Sequence, residues 1–203
     1  MKKYLNVKTI PVIGVLGALG AILMFFDFPI PFAPPFYKVD LGDLPCLIGG
    51  FALGPIPALF IQIIKILIKL LLKPTTTAFV GEIAAFVFSC SYCVTSAYIY
   101  QNNKSKNGAI KAIIVGSIVM IIISIIANYF FIIPAYVKLY KMPLEAIISM
   151  GTSIFPFINN KFTFVITCVL IFNLVKVIIV DVLVSALYKH ASPIIKRYTK
   201  WLK

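Results

Sequence analysis

The chain has 203 residues, of which 61% are hydrophobic and only 12% charged, and its formal net charge is +13. A soluble domain of this length would need far more polar surface, so the composition indicates an integral membrane protein. The positive charge does not indicate nucleic-acid binding, because the lysines are scattered between apolar segments and form no single patch. Cytoplasmic flanks and anionic lipid headgroups account for them better.

The apolar segments predict an all-α fold, because a bilayer requires about 20 apolar residues per spanning helix. Six helices are predicted in a single domain, 1–203, with the ranges 9–28, 43–53, 58–73, 78–100, 109–136 and 161–188. The second helix is too short to span, and such a segment is tolerated at membrane depth only beside protein or a cavity. The mixed segment 137–160 is predicted to be a loop with a short surface helix.

A proline-rich loop follows the first predicted helix. Four prolines and four aromatic residues alternate in it: Phe28, Pro29, Pro31, Phe32, Pro34, Pro35, Phe36 and Tyr37. The prolines exclude a helix and make the loop stiff. Asp40 and Asp43 come next, and Asp43 could cap the second helix. Such a loop is suited to covering a ligand, and a solvated turn with interfacial aromatic residues is the alternative interpretation.

The third predicted helix carries Lys65, Lys69 and Lys73 at intervals of four residues, so the three share one face. We expect this stripe to contact lipid headgroups by extending along the helix. Within the apolar fourth helix, the CxxC spacing of Cys90 and Cys93 lacks a thioredoxin-like context. We therefore expect these cysteines to be packing residues.

The distribution of positive charge predicts the orientation, since an even number of helices places both ends on one side. That side would hold eleven basic residues: Lys2, Lys3, Lys8, Lys104, Lys106, Lys111, Lys189, Lys196, Arg197, Lys200 and Lys203. The other side would hold Lys38, Lys73, Lys138, Lys141 and Lys161, with Lys65 and Lys69 of the stripe. This bias favours cytoplasmic termini and places the aromatic loop outside.

Polar side chains within predicted spans are hypotheses of function. Asn173 and Lys176 are three residues apart in the last helix and share a face. Lys176 lies too deep to reach water easily and needs an acceptor, and Asp181 points elsewhere. Ligand binding is therefore favoured for this pair. Asn128 in the fifth helix is equally compatible with a contact between helices.

These groups together predict the chemistry of a ligand. A carboxamide offers a donor and an acceptor side by side, which matches a heterocycle edge with C=O and N–H groups. Aromatic side chains match flat ring faces. With Glu82 near the start of the fourth helix, the set predicts a planar heterocycle that carries a hydroxylated arm.

Four segments of the sequence resemble the riboflavin-specific S components of energy-coupling factor (ECF) transporters. The resemblance covers nearly the whole chain, and the segments occur in the same order: FPIPFAPPFYKVDLGDLPCLIGGFALGP, TTTAFVGEIAAF, ANYF and FNLVK. The resemblance implies a multi-pass protein of the bacterial cell membrane, with an outward-facing vitamin pocket closed by the first loop. The substrate-binding residues would be Phe36, Tyr37, Asp40, Thr77, Phe79, Glu82, Asn128, Asn173 and Lys176, of which Asn128, Asn173 and Lys176 would bond the isoalloxazine ring.

The resemblance also implies partners. A transmembrane coupling (T) component and two ATPase subunits would complete the transporter, because this chain has no G-x-x-x-x-G-K-[ST] phosphate loop of its own. Small residues of the first helix would dock on the coupling component, namely Gly14, Gly17, Ala18 and Ala21. Riboflavin would be the transported substrate, and no cofactor and no metal is expected.

Two other functions remain as alternatives. One is an S component for a different vitamin, against which the Asn-x-x-Lys pair and the aromatic loop favour a flavin. The other is a membrane-embedded enzyme that acts on lipids. Against an enzyme, the single histidine, His190, lies in the basic tail, and the sequence shows neither a metal-binding cluster nor a nucleophile beside a base.

Overall fold

The computed structural model describes residues 8–31, 33–75, 77–139 and 141–201. Its helices are α1 (Thr9–Phe25), α2 (Asp43–Leu53), α3 (Pro55–Leu72), α4 (Val80–Asn102), α5 (Lys106–Ala127), α6 (Ile133–Leu139), α7 (Leu144–Thr152), α8 (Lys161–Phe164) and α9 (Leu170–Trp201). Several residues used in the predictions lie outside the described part: Lys2, Lys3, Phe32, Thr76 and the side chains of the basic tail, including His190.

Four helices in the described part of the chain are long and apolar enough to cross a membrane, namely Pro55–Leu72, Val80–Asn102, Lys106–Leu139 and Lys161–Tyr188. The helices α1 and α2 are shorter apolar helices. The fold is thus an all-α membrane fold. The segment predicted as a loop with a surface helix contains α7, whose face towards the bundle buries Ile147.

The short helix α2 lies inside the bundle and not at its surface. Nine of its eleven residues are buried, and it contacts α1, α3, α4 and α9. Glycines permit this close packing, since a Cβ added at Gly50 would come within 2.9 Å of the Ala97 Cβ in α4. A helix too short to span is therefore enclosed by longer ones, which satisfies the condition for such a segment at membrane depth.

Two of the long helices widen into π-helical turns. The turn Asn128–Ile132 joins α5 to α6, and the turn Val165–Val169 joins α8 to α9. Single π turns inside α-helices occur frequently at functional sites. Asn128 begins the first turn and Asn173 lies four residues beyond the second, so both candidate asparagines lie at or near these irregularities.

The loop between α1 and α2 is a small hairpin. The helix α1 ends at Phe25, three residues before its predicted end, because Pro29 and Pro31 force the following chain into extended geometry. Strands β1 (Phe28–Pro29) and β2 (Lys38–Val39) then pair antiparallel. The predicted capping role of Asp43 is wrong, since Gly42 precedes the helix and no side chain caps it.

The small residues of α1 divide between two environments. A Cβ added at Gly17 would collide with Ile64 of α3, and Ala21 is completely buried. Gly14 has nothing within 4 Å of its added Cβ, and Ala18 is partly exposed. Gly17 and Ala21 are therefore internal packing residues, which corrects their prediction as docking residues, while Gly14 and Ala18 remain accessible.

Candidate functional site

A cavity of about 300 Å³ opens at the end of the bundle where the hairpin loop lies. Eight of the nine predicted substrate-binding residues line it: Phe36, Tyr37, Asp40, Thr77, Glu82, Asn128, Asn173 and Lys176. They come from the loop, the start of α4, the first π turn and α9, so the cavity collects residues that are more than a hundred positions apart in the sequence.

Phe79 is the predicted residue that the structure does not bring to this cavity. Its backbone is left-handed, with φ of 66°, and it directly precedes α4. The side chain is 54% exposed, pointing to the surroundings of the bundle. Neighbouring Thr77 and Glu82 nevertheless line the cavity.

Four charged residues form a buried network at the base of the cavity. The Lys176 Nζ lies 3.2 Å from Asp40 Oδ2 and 3.4 Å from Asp43 Oδ2. The Lys65 Nζ lies 2.7 Å from Asp43 Oδ1. Two lysines thus face two carboxylates, and the charge of each ammonium is compensated by protein groups, as burial requires. The acceptors that the sequence analysis required for Lys176 are therefore the carboxylates of Asp40 and Asp43.

The prediction of a lipid-facing lysine stripe on α3 is also wrong for two of its three members. Lys65 is 1% exposed and bound to Asp43, as described above. Lys69 Nζ lies 2.5 Å from Glu82 Oε1, and the other Glu82 oxygen accepts hydrogen bonds from the Thr75 and Thr77 hydroxyls. Lys73 is exposed and lines the mouth of the cavity. The stripe therefore faces the bundle and its site.

The two asparagines are held in the same way. Each donates from Nδ2 to the backbone carbonyl four residues earlier, Asn128 to Ser124 and Asn173 to Val169, both at 2.8 Å. The carboxamide orientation is thereby set, and the oxygen is the atom left for other partners. Asn128 Oδ1 accepts a hydrogen bond from the Tyr37 hydroxyl at 2.8 Å. Asn173 Oδ1 is buried and has no partner among the described residues.

Aromatic rings form one wall of the cavity. The Tyr37 ring packs between Phe36 and Phe172, with centroid distances of 4.6 and 4.9 Å. Burial raises the pKa of the Tyr37 phenol above its usual value, and the nearby Tyr136 phenol adds to the effect. Tyr37 therefore remains a neutral donor to Asn128 Oδ1 well into the alkaline range.

Lys69, Tyr136 and Phe172 are among the residues that line the cavity and that sequence reasoning missed. Phe172 directly precedes Asn173, so its place in the FNLVK segment was a usable signal. Lys69 gave no such signal, because its partner Glu82 lies on the next helix. Within the described residues, no group of three His, Cys, Asp or Glu side chains could hold a metal ion, and the four cysteines are free thiols.

The known proteins that this chain resembles are transport proteins. The family model described as "ECF transporter, substrate-specific component" matches residues 8–188. The riboflavin transporter RibU of Staphylococcus aureus is 29% identical over 190 residues, covering 94% of this chain and 93% of that protein. The riboflavin transporter FmnP of Bacillus subtilis is 25% identical over 194 residues, covering 95% and 96%.

A solved structure has the same fold. It is reported as the S component of a bacterial ECF transporter, and it superimposes with a TM-score of 0.72 at 28% sequence identity. The match covers 93% of this chain and 98% of that one. The similarity therefore extends over nearly the whole chain.

Proposed function

This chain belongs to the family of substrate-specific components of ECF transporters, and we propose that its substrate is riboflavin. The family role is transport and not catalysis, so the protein is a multi-pass membrane protein and not an enzyme. Riboflavin is the substrate named for similar transporters of Staphylococcus aureus and Bacillus subtilis. In this proposal, riboflavin binds in the cavity described above and needs no cofactor.

The observation that carries the proposal is the unsatisfied oxygen of Asn173. A buried acceptor without a partner costs about 1–3 kcal/mol, and this one lines a cavity beside Lys176. The oxidised flavin ring has one edge on which an N–H lies between two carbonyl groups. Asn173 Oδ1 accepts from that N–H, and the third ammonium N–H of Lys176, not directed to Asp40 or Asp43, donates to a flanking carbonyl.

The remaining walls suit the rest of the molecule. The ring faces lie against Phe36, Tyr37 and Phe172, where aromatic contacts add to the burial of apolar area. The hydroxylated arm reaches the polar groups at the mouth, Thr77 and Glu82. Asp40 lies between the site of the ring and the site of the hydroxylated arm, and it keeps its ion pair with Lys176.

We infer the following assembly, which the family role supports. One domain, 1–203, with six helices in the bilayer holds the substrate, and both termini are cytoplasmic, so the cavity faces outward. A transmembrane coupling (T) component and two ATPase subunits supply the driving force. On α1, Gly14 and Ala18 offer the accessible small-residue face for the coupling component. Alone, the chain binds riboflavin and does not pump it.

The experiment that tests the proposal is a titration of the purified protein with riboflavin. Stacking against aromatic side chains is expected to quench flavin fluorescence, and thiamine and biotin are expected not to compete. Asn173→Leu should weaken binding about ten- to a hundredfold, since the ring N–H loses its acceptor. The matched control is Asn102→Leu, an exposed asparagine away from the cavity, which should bind normally. The proposal is contradicted if the riboflavin titration shows neither fluorescence quenching nor heat of binding by calorimetry.

A further inference from the structure

Lys65 is a charged residue near the ligand site that does not line the cavity. It lies within α3 and is 1% exposed. Its ammonium group donates to Asp43 Oδ1 at 2.7 Å and to the Ser89 hydroxyl at 3.4 Å. A fully buried ammonium is costly unless it is compensated. Asp43 is the group that compensates it.

The position of Lys65 is set by close packing as well as by charge. The residues beside its stem are Gly20 of α1 and Gly42 before α2, and a Cβ added at either would lie 3.2 Å from the Lys65 Cδ. The two glycines therefore leave room for the stem and confine it. Confined in this way, the ammonium group has little freedom to leave Asp43.

Asp43 connects Lys65 to the cavity. Its Oδ1 accepts from Lys65 and, at 3.1 Å, from Gln62 Nε2. These two bonds orient the carboxylate so that Oδ2 faces the Lys176 Nζ at 3.4 Å. The Lys176 ammonium is thus held between Asp43 and Asp40, on the side of the network that lines the cavity.

We propose that Lys65 is a positioning residue of the ligand site, which balances the charge of Asp43 and thereby keeps the Lys176 ammonium where it meets the ligand. The four charges of the network balance while Lys65 is present. Without Lys65, two carboxylates share one ammonium, which moves towards Asp43 and away from the ligand. This inference rests on the proposed riboflavin function.

The experiment measures riboflavin affinity for wild type, Lys65→Met, Lys176→Met and the double variant, by fluorescence quenching. Lys65→Met is expected to weaken binding about ten- to a hundredfold, which is the loss of one charge-assisted hydrogen bond. In the Lys176→Met background the same change should have no further effect, because the group it positions is gone. Ile66→Met, a buried neutral change on the same helix, should leave affinity unaltered.

A second variant separates positioning from folding. Lys65→Met combined with Asp43→Asn removes both charges of one pair, and Lys176 keeps Asp40 as its partner at 3.2 Å. This neutral pair should restore affinity to within about threefold of wild type, which a purely structural lysine would not allow. If Lys65→Met alone does not fold, the test is the riboflavin affinity of Lys65→Met combined with Asp43→Asn. A tenfold or greater loss of that affinity relative to the wild type overturns the inference.

The other outcomes also distinguish the two proposals. The positioning role is overturned if Lys65→Met binds riboflavin with wild-type affinity, or if Lys65→Met weakens binding equally in the wild type and in the Lys176→Met background. Either result leaves the riboflavin function intact. Failure of the wild type to bind riboflavin overturns both.

Discussion

Replacing Lys176 with Met tests the buried charge network most directly. The substitution keeps the length of the side chain and removes its charge, so Asp40 and Asp43 are left with Lys65 as the single cation of the network. At an effective dielectric constant of about 20, two unit charges 3.2 Å apart attract by about 5 kcal/mol. Desolvation of the ammonium offsets part of this attraction.

Removal of one partner from a buried pair typically costs about 3–5 kcal/mol, because an uncompensated charge remains. For a chain of this length, that loss lowers the melting temperature by about 6–20 °C. Lys176→Met should therefore destabilise the empty protein and also weaken riboflavin binding about ten- to a hundredfold. Thermal unfolding in detergent without ligand and a fluorescence titration measure the two effects.

The matched variants separate stability from binding. Adding Asp40→Asn to Lys176→Met leaves one lysine facing one carboxylate, so stability should recover while binding stays weak. Lys111→Met, at an exposed position of α5, should change neither quantity. An unchanged melting temperature in Lys176→Met, or no recovery with Asp40→Asn, would refute the charge network as the source of stability.

Two further predictions concern the loop and α1. Tyr37→Phe removes the hydroxyl group that donates a hydrogen bond to Asn128 Oδ1. Because that oxygen then lacks its donor, the free energy of unfolding should fall by about 1–3 kcal/mol. Because burial raises the Tyr37 pKa, the wild type should lose stability as the pH rises above about 10. This loss should be smaller in Tyr37→Phe. If both proteins show the same dependence of unfolding free energy on pH, the inference that the Tyr37 phenol is buried is contradicted. Gly14→Leu should reduce uptake by the complete transporter and spare riboflavin binding, whereas Gly17→Leu should destabilise the chain itself by collision with Ile64. Equal behaviour of the two glycine variants in both assays would argue against this division of α1.

Local features of the sequence were sufficient to predict the long helices and eight of the residues that line the cavity. The bounds of α2, Asp43–Leu53, agree with the prediction, because an acid and a short apolar run mark its start and the Gly54-Pro55 break follows its end. The pairing of Asn173 and Lys176 on one face also follows from helical geometry alone. The predictions that depended on the rotation of a helix about its axis were less successful, as the lysine stripe of α3 and the glycines of α1 show.

What the sequence determined by itself was therefore local: apolar length, the breaks made by proline and glycine, and the spacing of polar groups along each helix. Only the tertiary structure decided which charges meet. Lys176 pairs with Asp40, 136 positions away, and Lys65 pairs with Asp43, 22 positions away. No local pattern encodes such pairs, because they depend on how helices pack and turn relative to one another. The same packing sends Lys65 inward, where a lysine at regular helical spacing could equally have faced the lipid.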